Sequence, residues 1–211
     1  KEIGFDGNKI VKKYNFVPDA QANLKSIKLD DIPERYVVFY GRIGEEKGIR
    51  ILMRIWDEIQ DIPLVVMGTG PLETEFKEWA KNKDNVYFLG YTQHERCLSI
   101  VKGSEFVVFP SIWYEGCSMV EIETESLGKG LVATDLGFSV EAIENGVNGF
   151  KVKLGDVKGF KNQIKTLWND PELCKSIGVN ARMDYERKYV PEMNYEELNS
   201  IYKEVLGGSI K

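Results

Sequence analysis

The sequence predicts an α/β protein: a parallel β-sheet with helices on both faces and a helical C-terminus. Three observations lead there. Short runs of β-branched and aromatic residues alternate with longer stretches of helical period through most of the 211 residues. Each short run is apolar nearly throughout, as a strand covered on both faces must be. Beyond Pro171 such runs stop and helical period takes over.

Taken in order, residues 1–32 are polar and irregular and read as an entry or linker segment, with one short strand expected at Ile10–Tyr14. Strands follow at Tyr36–Tyr40 (YVVFY), Leu64–Met67 (LVVM), Val86–Leu89 (VYFL), Phe106–Phe109 (FVVF) and Leu131–Thr134 (LVAT). Between the first two, Ile49, Leu52, Met53, Ile55, Trp56 and Ile59 recur at spacings of three and four. That stripe predicts a helix packed on the core. Further helices are expected near 72–82, 93–102, 118–128 and 157–168, and from Pro171 to about Leu206 with a break at Pro191. One unit is thus expected over 33–206, with 207–211 left as a tail.

Composition narrows the function. Lys and Arg number 28 against 33 Asp and Glu, a formal charge of -5, so the broad positive footprint of a nucleic-acid binder is missing. The longest apolar runs, VVMG at 65–68 and FVVFP at 106–110, are far too short for a membrane span. Cys97, Cys117 and Cys174 are odd in number, far apart and without a CxxC, which argues against a disulfide framework or zinc site and for a reducing cytoplasm.

In such a sheet, ligands sit outside the carboxyl ends of the strands. After the first strand comes GRIGEEKG at 41–48. Its glycines let backbone amides approach a ligand, and Arg42 and Lys47 supply cations beside a helix start, a setting for a phosphate or diphosphate. It has neither Walker spacing nor GxGxxG. After the second strand, Gly68-Thr69-Gly70-Pro71 turns into a helix and leaves room for a base or ribose, although such a turn also serves as a tight connection. The segment after the fourth strand, PSIWYEGCSMVEIE at 110–123, is the richest: Glu115 lies in the loop and Glu123 eight positions on, in the following helix. Glu121, Glu123 and Glu125 alternate, so they do not share one helical face, and at least one is expected to point inward. The glycines of 128–137 and 141–150 read mainly as strand ends and helix caps.

These segments, in this order from about Asp6 to Tyr202, resemble the C-terminal, donor-binding domain of the retaining GT-B glycosyltransferases, glycosyltransferase family 4 (group 1). GRIGEEKG is similar to the family's GR-x-x-x-x-KG loop, VVMGTGP to its strand ending in GxGP, and NVYFLGYTQHE to its strand, Leu-Gly and helix step. FPSIWYEGCSMVEIETESLGKGLVATDLGFSVEAIENGVNGF resembles its succession of PS, EG, a second Glu and E-x-I-x-x-G-x-x-G. The resemblance implies a Rossmann-like nucleotide-sugar-binding domain over 33–206. Arg42 and Lys47 would bind the donor diphosphate, Glu115 the donor sugar and Glu123 the ribose. Gly41, Gly68 and Gly70 would line the site, Gly116, Cys117, Ser118 and Met119 would face sugar and phosphate, and Leu89 to Tyr91 the base. Glu115, Arg42 and Lys47 would act at the reacting centre.

The resemblance further implies hexosyl transfer from a UDP-, GDP- or ADP-sugar to a glycan or lipid-linked acceptor, with retention of configuration, no cofactor and no metal. It implies a cytoplasmic enzyme of polysaccharide biosynthesis whose N-terminal acceptor domain lies outside this chain, with membrane contact at most through that half and a fragment inactive alone. Sugar, nucleotide and acceptor stay open. So do two other readings: a related GT-B enzyme such as an epimerase or a glycogen-synthase-like enzyme, and a non-catalytic nucleotide-sugar-binding or interaction module. The chain departs from the family pattern at Glu121, where an apolar residue is usual, at Thr124, where Ala is usual, and at Gly130, where Pro is usual. His94, the sole histidine, matches no family motif and reads as a surface residue.

Overall fold

The computed structural model describes residues 4, 10–20 and 24–207. Strands β1 (Val37–Tyr40), β2 (Leu64–Met67), β3 (Val86–Gly90), β4 (Val107–Phe109), β5 (Leu131–Thr134) and β6 (Gly149–Val152) form one sheet in the order β3-β2-β1-β4-β5-β6. Every pair is parallel. This is the Rossmann-like order, in which the chain returns to the middle of the sheet after β3 and builds outward from the other side of β1. Helices α1 (Ile49–Asp57), α2 (Glu73–Ala80), α3 (His94–Gly103), α4 (Met119–Ser126) and α5 (Ser139–Ala142) connect the strands. After β6 come α6 (Val157–Asn169), α7 (Pro171–Lys188) and α8 (Pro191–Gly207), the helical C-terminus.

The period-two alternation of the strands sorts the core into two layers. Val37 and Phe39 face one way, with Leu52, Trp56, Phe160 and Ile164 of α1 and α6 packed on them. Val38 and Tyr40 face the other, under Leu98, Ile122 and Tyr185 of α3, α4 and α7. Burying each of these large apolar side chains contributes about 1.5–3 kcal/mol. Trp56 is fully buried and still satisfied, because its indole N–H donates to the Ile62 carbonyl at 3.0 Å. The helix ends follow from sequence. Asp156 and Asp170 cap α6 and α7 by accepting from the Gly159 and Leu173 amides at 2.9 and 3.0 Å. Pro171 opens α7, and Pro191, which has no amide hydrogen to continue that helix, opens α8.

One expectation fails, and two elements appear that were not foreseen. Ile10–Tyr14 is not a strand. The sheet ends on β3 and β6, and this stretch crosses the helical layer instead, where its polar groups find partners outside any ladder. The Tyr14 carbonyl accepts from Asn194 Nδ2 at 2.8 Å, Tyr14 Oη donates to Glu141 at 2.9 Å, and the Val17 amide donates to the Tyr189 carbonyl at 3.3 Å. Strand β6 was not expected at all. Its sequence, GFKV, carries a glycine and a lysine, which break the continuous apolar signature of the others. Short α5 was likewise not anticipated, and residues 208–211 of the expected tail lie outside the described residues.

Candidate functional site

The sheet order reverses between β1 and β4, the switch point at which ligands of such sheets gather. The loops after these two strands are built to meet. Gly48 has φ +73°, and a Cβ there would lie 1.8 Å from the Pro110 carbonyl oxygen, so only glycine lets the end of the first loop pass the start of the other. The Glu46 carbonyl then accepts from both the Ile112 amide and Ser111 Oγ at 3.0 Å. On the β2 side, Gly68 approaches so near that a Cβ would fall 1.8 Å from the Gly41 carbonyl oxygen.

Three loops therefore bring Gly41, Arg42, Lys47, Gly68 and Glu115 to the carboxyl end of the sheet, where Glu123 follows on α4. Lys47 Nζ lies 2.5 Å from Glu115 Oε1 and 5.5 Å from the centre of the Phe109 ring, and Ser111 Oγ lies 3.2 Å from the same carboxylate oxygen. The ammonium has three donors, so it can hold Glu115 and a phosphate oxygen together. Arg42 is more exposed and pairs with Glu46 at 3.3 Å. The Glu115 backbone is clamped as well: its carbonyl accepts from the Phe138 amide at 2.9 Å, and Gly137 (φ +59°) packs so closely that a Cβ would sit 2.7 Å from the Glu115 N and O.

A cleft of about 380 Å³ opens beside this cluster, lined by Gly41, Arg42, Gly68, Thr69, Tyr91 and His94 among others. Its floor is Tyr40, whose hydroxyl donates to the Val120 carbonyl at 2.8 Å and lies 3.1 Å from Thr124 Oγ1. That bond gives the departure at Thr124 a local role. Burial, and after it the charge of Glu123, push the Tyr40 hydroxyl well above its ordinary value. They likewise push the Cys97 thiol up to about 12, so both stay neutral.

Some expected residues fall elsewhere. The Leu89 side chain packs into the core layer with α3, so the cleft rim there belongs to Tyr91 and Thr92. Gly70 does not line the cleft: a Cβ would lie 2.4 Å from the Ile43 carbonyl oxygen, so glycine serves the packing of one loop on another. Gly116 is open, with nothing within 4 Å of an added Cβ. Ser118 caps α4 by accepting from the Glu121 amide at 3.4 Å, and Cys117 Sγ accepts from the Asn15 amide at 3.3 Å. Met119 is exposed.

Of the three alternating glutamates, the two flanking Glu123 point inward. Glu121 and Glu125 are 0 % and 1 % exposed, and Glu121 Oε2 and both Glu125 carboxyl oxygens have no hydrogen-bond partner. Burial raises Glu121 to about 8, with Ser139 Oγ donating to its Oε1 at 3.1 Å, and raises Glu125 well above the usual carboxylate range. A proline at Gly130 would meet Ile177 of α7, because even a Cβ there falls 2.4 Å from Ile177 Cγ2. His94, expected at the surface, is exposed there and places Nε2 at 2.8 Å from Glu123 Oε1. No motif around His94 could have shown this, since the two residues are 29 positions apart. Among the described residues no group of three or more His, Cys, Asp or Glu side chains is placed to hold a metal, and no helix is long and apolar enough to cross a membrane.

Known proteins resemble this chain in sequence and in fold. The family model described as glycosyl transferases group 1 matches residues 21–184. The capsular polysaccharide biosynthesis glycosyltransferase CapM of Staphylococcus aureus is 29% identical, over 98% of this chain and 52% of its own length. The alpha-D-kanosaminyltransferase of Streptomyces kanamyceticus is also 29% identical, over 84% of this chain and 47% of its own. The chain thus spans about half the length of these curated relatives. Among solved structures, Anabaena HepE in complex with UDP and glucose superposes with a TM-score of 0.78 at 21% identity, covering 95% of this chain and 59% of that one. A glycosyltransferase from Rickettsia africae gives 0.81 at 21% identity, covering 96% and 59%. At that identity the likeness speaks for the fold.

Proposed function

Because the chain belongs to the group 1 glycosyl transferases, we propose that it is the donor-binding half of a retaining enzyme of that family, moving a hexosyl group from a nucleoside diphosphate sugar. The observation that carries this reading is the contact of Lys47 with Glu115 between the loops after β1 and β4, beside a cleft of nucleotide size lined by Arg42 and by His94, the partner of Glu123. Names of relatives and neighbours point the same way, toward glycosyl transfer and, in HepE, UDP with glucose. The acceptor then meets a further domain, in keeping with a chain that spans about half of its relatives.

In this reading the nucleoside lies in the cleft with its ribose on Glu123, the diphosphate reaches Arg42 and Lys47, and the hexose meets Glu115. As the bond from the anomeric carbon to the diphosphate breaks, negative charge grows on the leaving oxygens. Fixed cations stabilise that charge more than they stabilise the intact donor. Lys47, over the Phe109 ring, keeps donors free for those oxygens beyond its contact with Glu115. Tyr91 and Thr92 border the base.

Thermal denaturation with UDP, GDP and ADP tests the proposal. A diphosphate that binds the folded state alone stabilises it by about 2.7 kcal/mol at 100 times its dissociation constant. One of the three is expected to raise the midpoint; none doing so at millimolar concentration contradicts a donor-binding role.

A further inference from the structure

We propose that His94 is a positioning residue for Glu123, holding one carboxylate oxygen so that both are presented to the hydroxyls of the donor's ribose. The inference rests on the reading of Glu123 as ribose ligand and extends it to a residue that no motif marks.

Glutamate has three rotatable bonds, and a ribose diol requires its carboxylate in one orientation. The α4 backbone fixes only the Glu123 Cα. What fixes the head group comes from other elements. The Glu123 side chain is 13% exposed, and His94, the first residue of α3, places Nε2 at 2.8 Å from Oε1. A carboxylate only accepts, so the imidazole donates. Tyr40 lies on the β1 side and the Cys97 thiol on the α3 side, both neutral for the reason given above. Each carboxylate oxygen has two lone-pair sites, so Oε1 can accept from His94 and from a ribose hydroxyl together. His94 itself is 70% exposed and lines the proposed nucleotide cleft together with Tyr91 and Thr92. A structural role in the core is excluded by that exposure, and α3 keeps its cap and first turn without an imidazole at this position.

The test compares UDP, GDP and ADP with their 2′,3′-dideoxy counterparts by calorimetric titration of four proteins: the parent chain, Glu123→Ala, His94→Ala and His94→Gln. His94→Ala is expected to weaken the ribonucleotide that binds by roughly three- to tenfold, the size of one net hydrogen bond. The dideoxy form should be unchanged. His94→Gln, which keeps a donor N–H, is expected to recover most of the loss, a rescue that a merely structural position would not show. If Glu123→Ala loses affinity for the ribonucleotide alone while His94→Ala loses none, or if His94→Gln is as weak as His94→Ala, the positioning role is overturned and the ribose reading stands. If Glu123→Ala weakens ribo and dideoxy forms equally, the ribose reading itself is wrong, and the role of His94 falls with it.

Discussion

Glu121→Gln should make the protein more stable at pH 8 than the parent, and the gain should vanish near pH 4.5. Glu121 is 0 % exposed, its Oε2 has no partner, and burial moves it from an ordinary value of 4.5 to about 8. Between those values the folded state holds a proton that the unfolded chain has released, so stability falls as pH rises. Below about 4.5 both states are protonated; above about 8 both are ionised and the slope ends. The interval spans 3 to 4 pH units at about 1.4 kcal/mol each, so the full effect has an upper limit near 5 kcal/mol. Glutamine keeps the acceptor for Ser139 and cannot ionise. Glu125, raised in the same sense, keeps a residual slope in the variant. Urea denaturation of both proteins from pH 5 to 8.5 measures the difference. Parallel curves, with the same pH slope in parent and variant, would refute the burial of an ionisable Glu121.

Arg42→Ala and Lys47→Ala should each weaken nucleoside diphosphate binding by about 1.5–3 kcal/mol, the scale of a hydrogen bond to a charged group, and leave the bare nucleoside untouched. Calorimetry with both ligands decides this, and equal losses for the two would assign the cations to the fold. Gly48→Ala should cost about 2 kcal/mol or more, because a left-handed φ of +73° coincides with a Cβ 1.8 Å from the Pro110 carbonyl oxygen; an unchanged denaturation midpoint contradicts the contact. The purified 211 residues should release no glycosyl product from a sugar nucleotide and any acceptor, and product formation would place the acceptor site within this chain.

Strands β1, β2, β4 and β5 were legible because strands buried on both faces must be apolar throughout, as LVVM and FVVF are, and edge strand β3, though only partly buried, still carries the apolar run VYFL. Edge strand β6 was not, since the glycine and lysine of GFKV break such a run. Ile10–Tyr14 misled for the opposite reason: its β-branched and aromatic Ile10, Val11 and Tyr14 suit a strand, and tertiary contacts of Tyr14 with Glu141, Tyr189 and Asn194 of α8 decide otherwise. At the site, glycines and charged residues after each strand were readable from the rule that ligands gather at strand ends. The inward turn of Glu121 and Glu125 was foreseen only as a necessity for one of three residues, because helical phase is relative and the packing of α4 against α7 sets it. The His94 and Glu123 contact joins two helices, and nothing local encodes it.

The account turns on Glu115 and Glu123 addressing two parts of one donor. Calorimetric titration of Glu115→Ala and Glu123→Ala, each with the nucleoside diphosphate and with its sugar nucleotide, tests this directly. Glu123→Ala should weaken both ligands alike by about 1.5–3 kcal/mol, since the sugar plays no part in the ribose contact. Glu115→Ala should leave the diphosphate nearly unchanged and abolish whatever affinity the attached sugar adds. If Glu115→Ala weakens the bare diphosphate as much as Glu123→Ala does, the two carboxylates do not divide the donor between sugar and ribose, and the proposed placement of the donor is wrong.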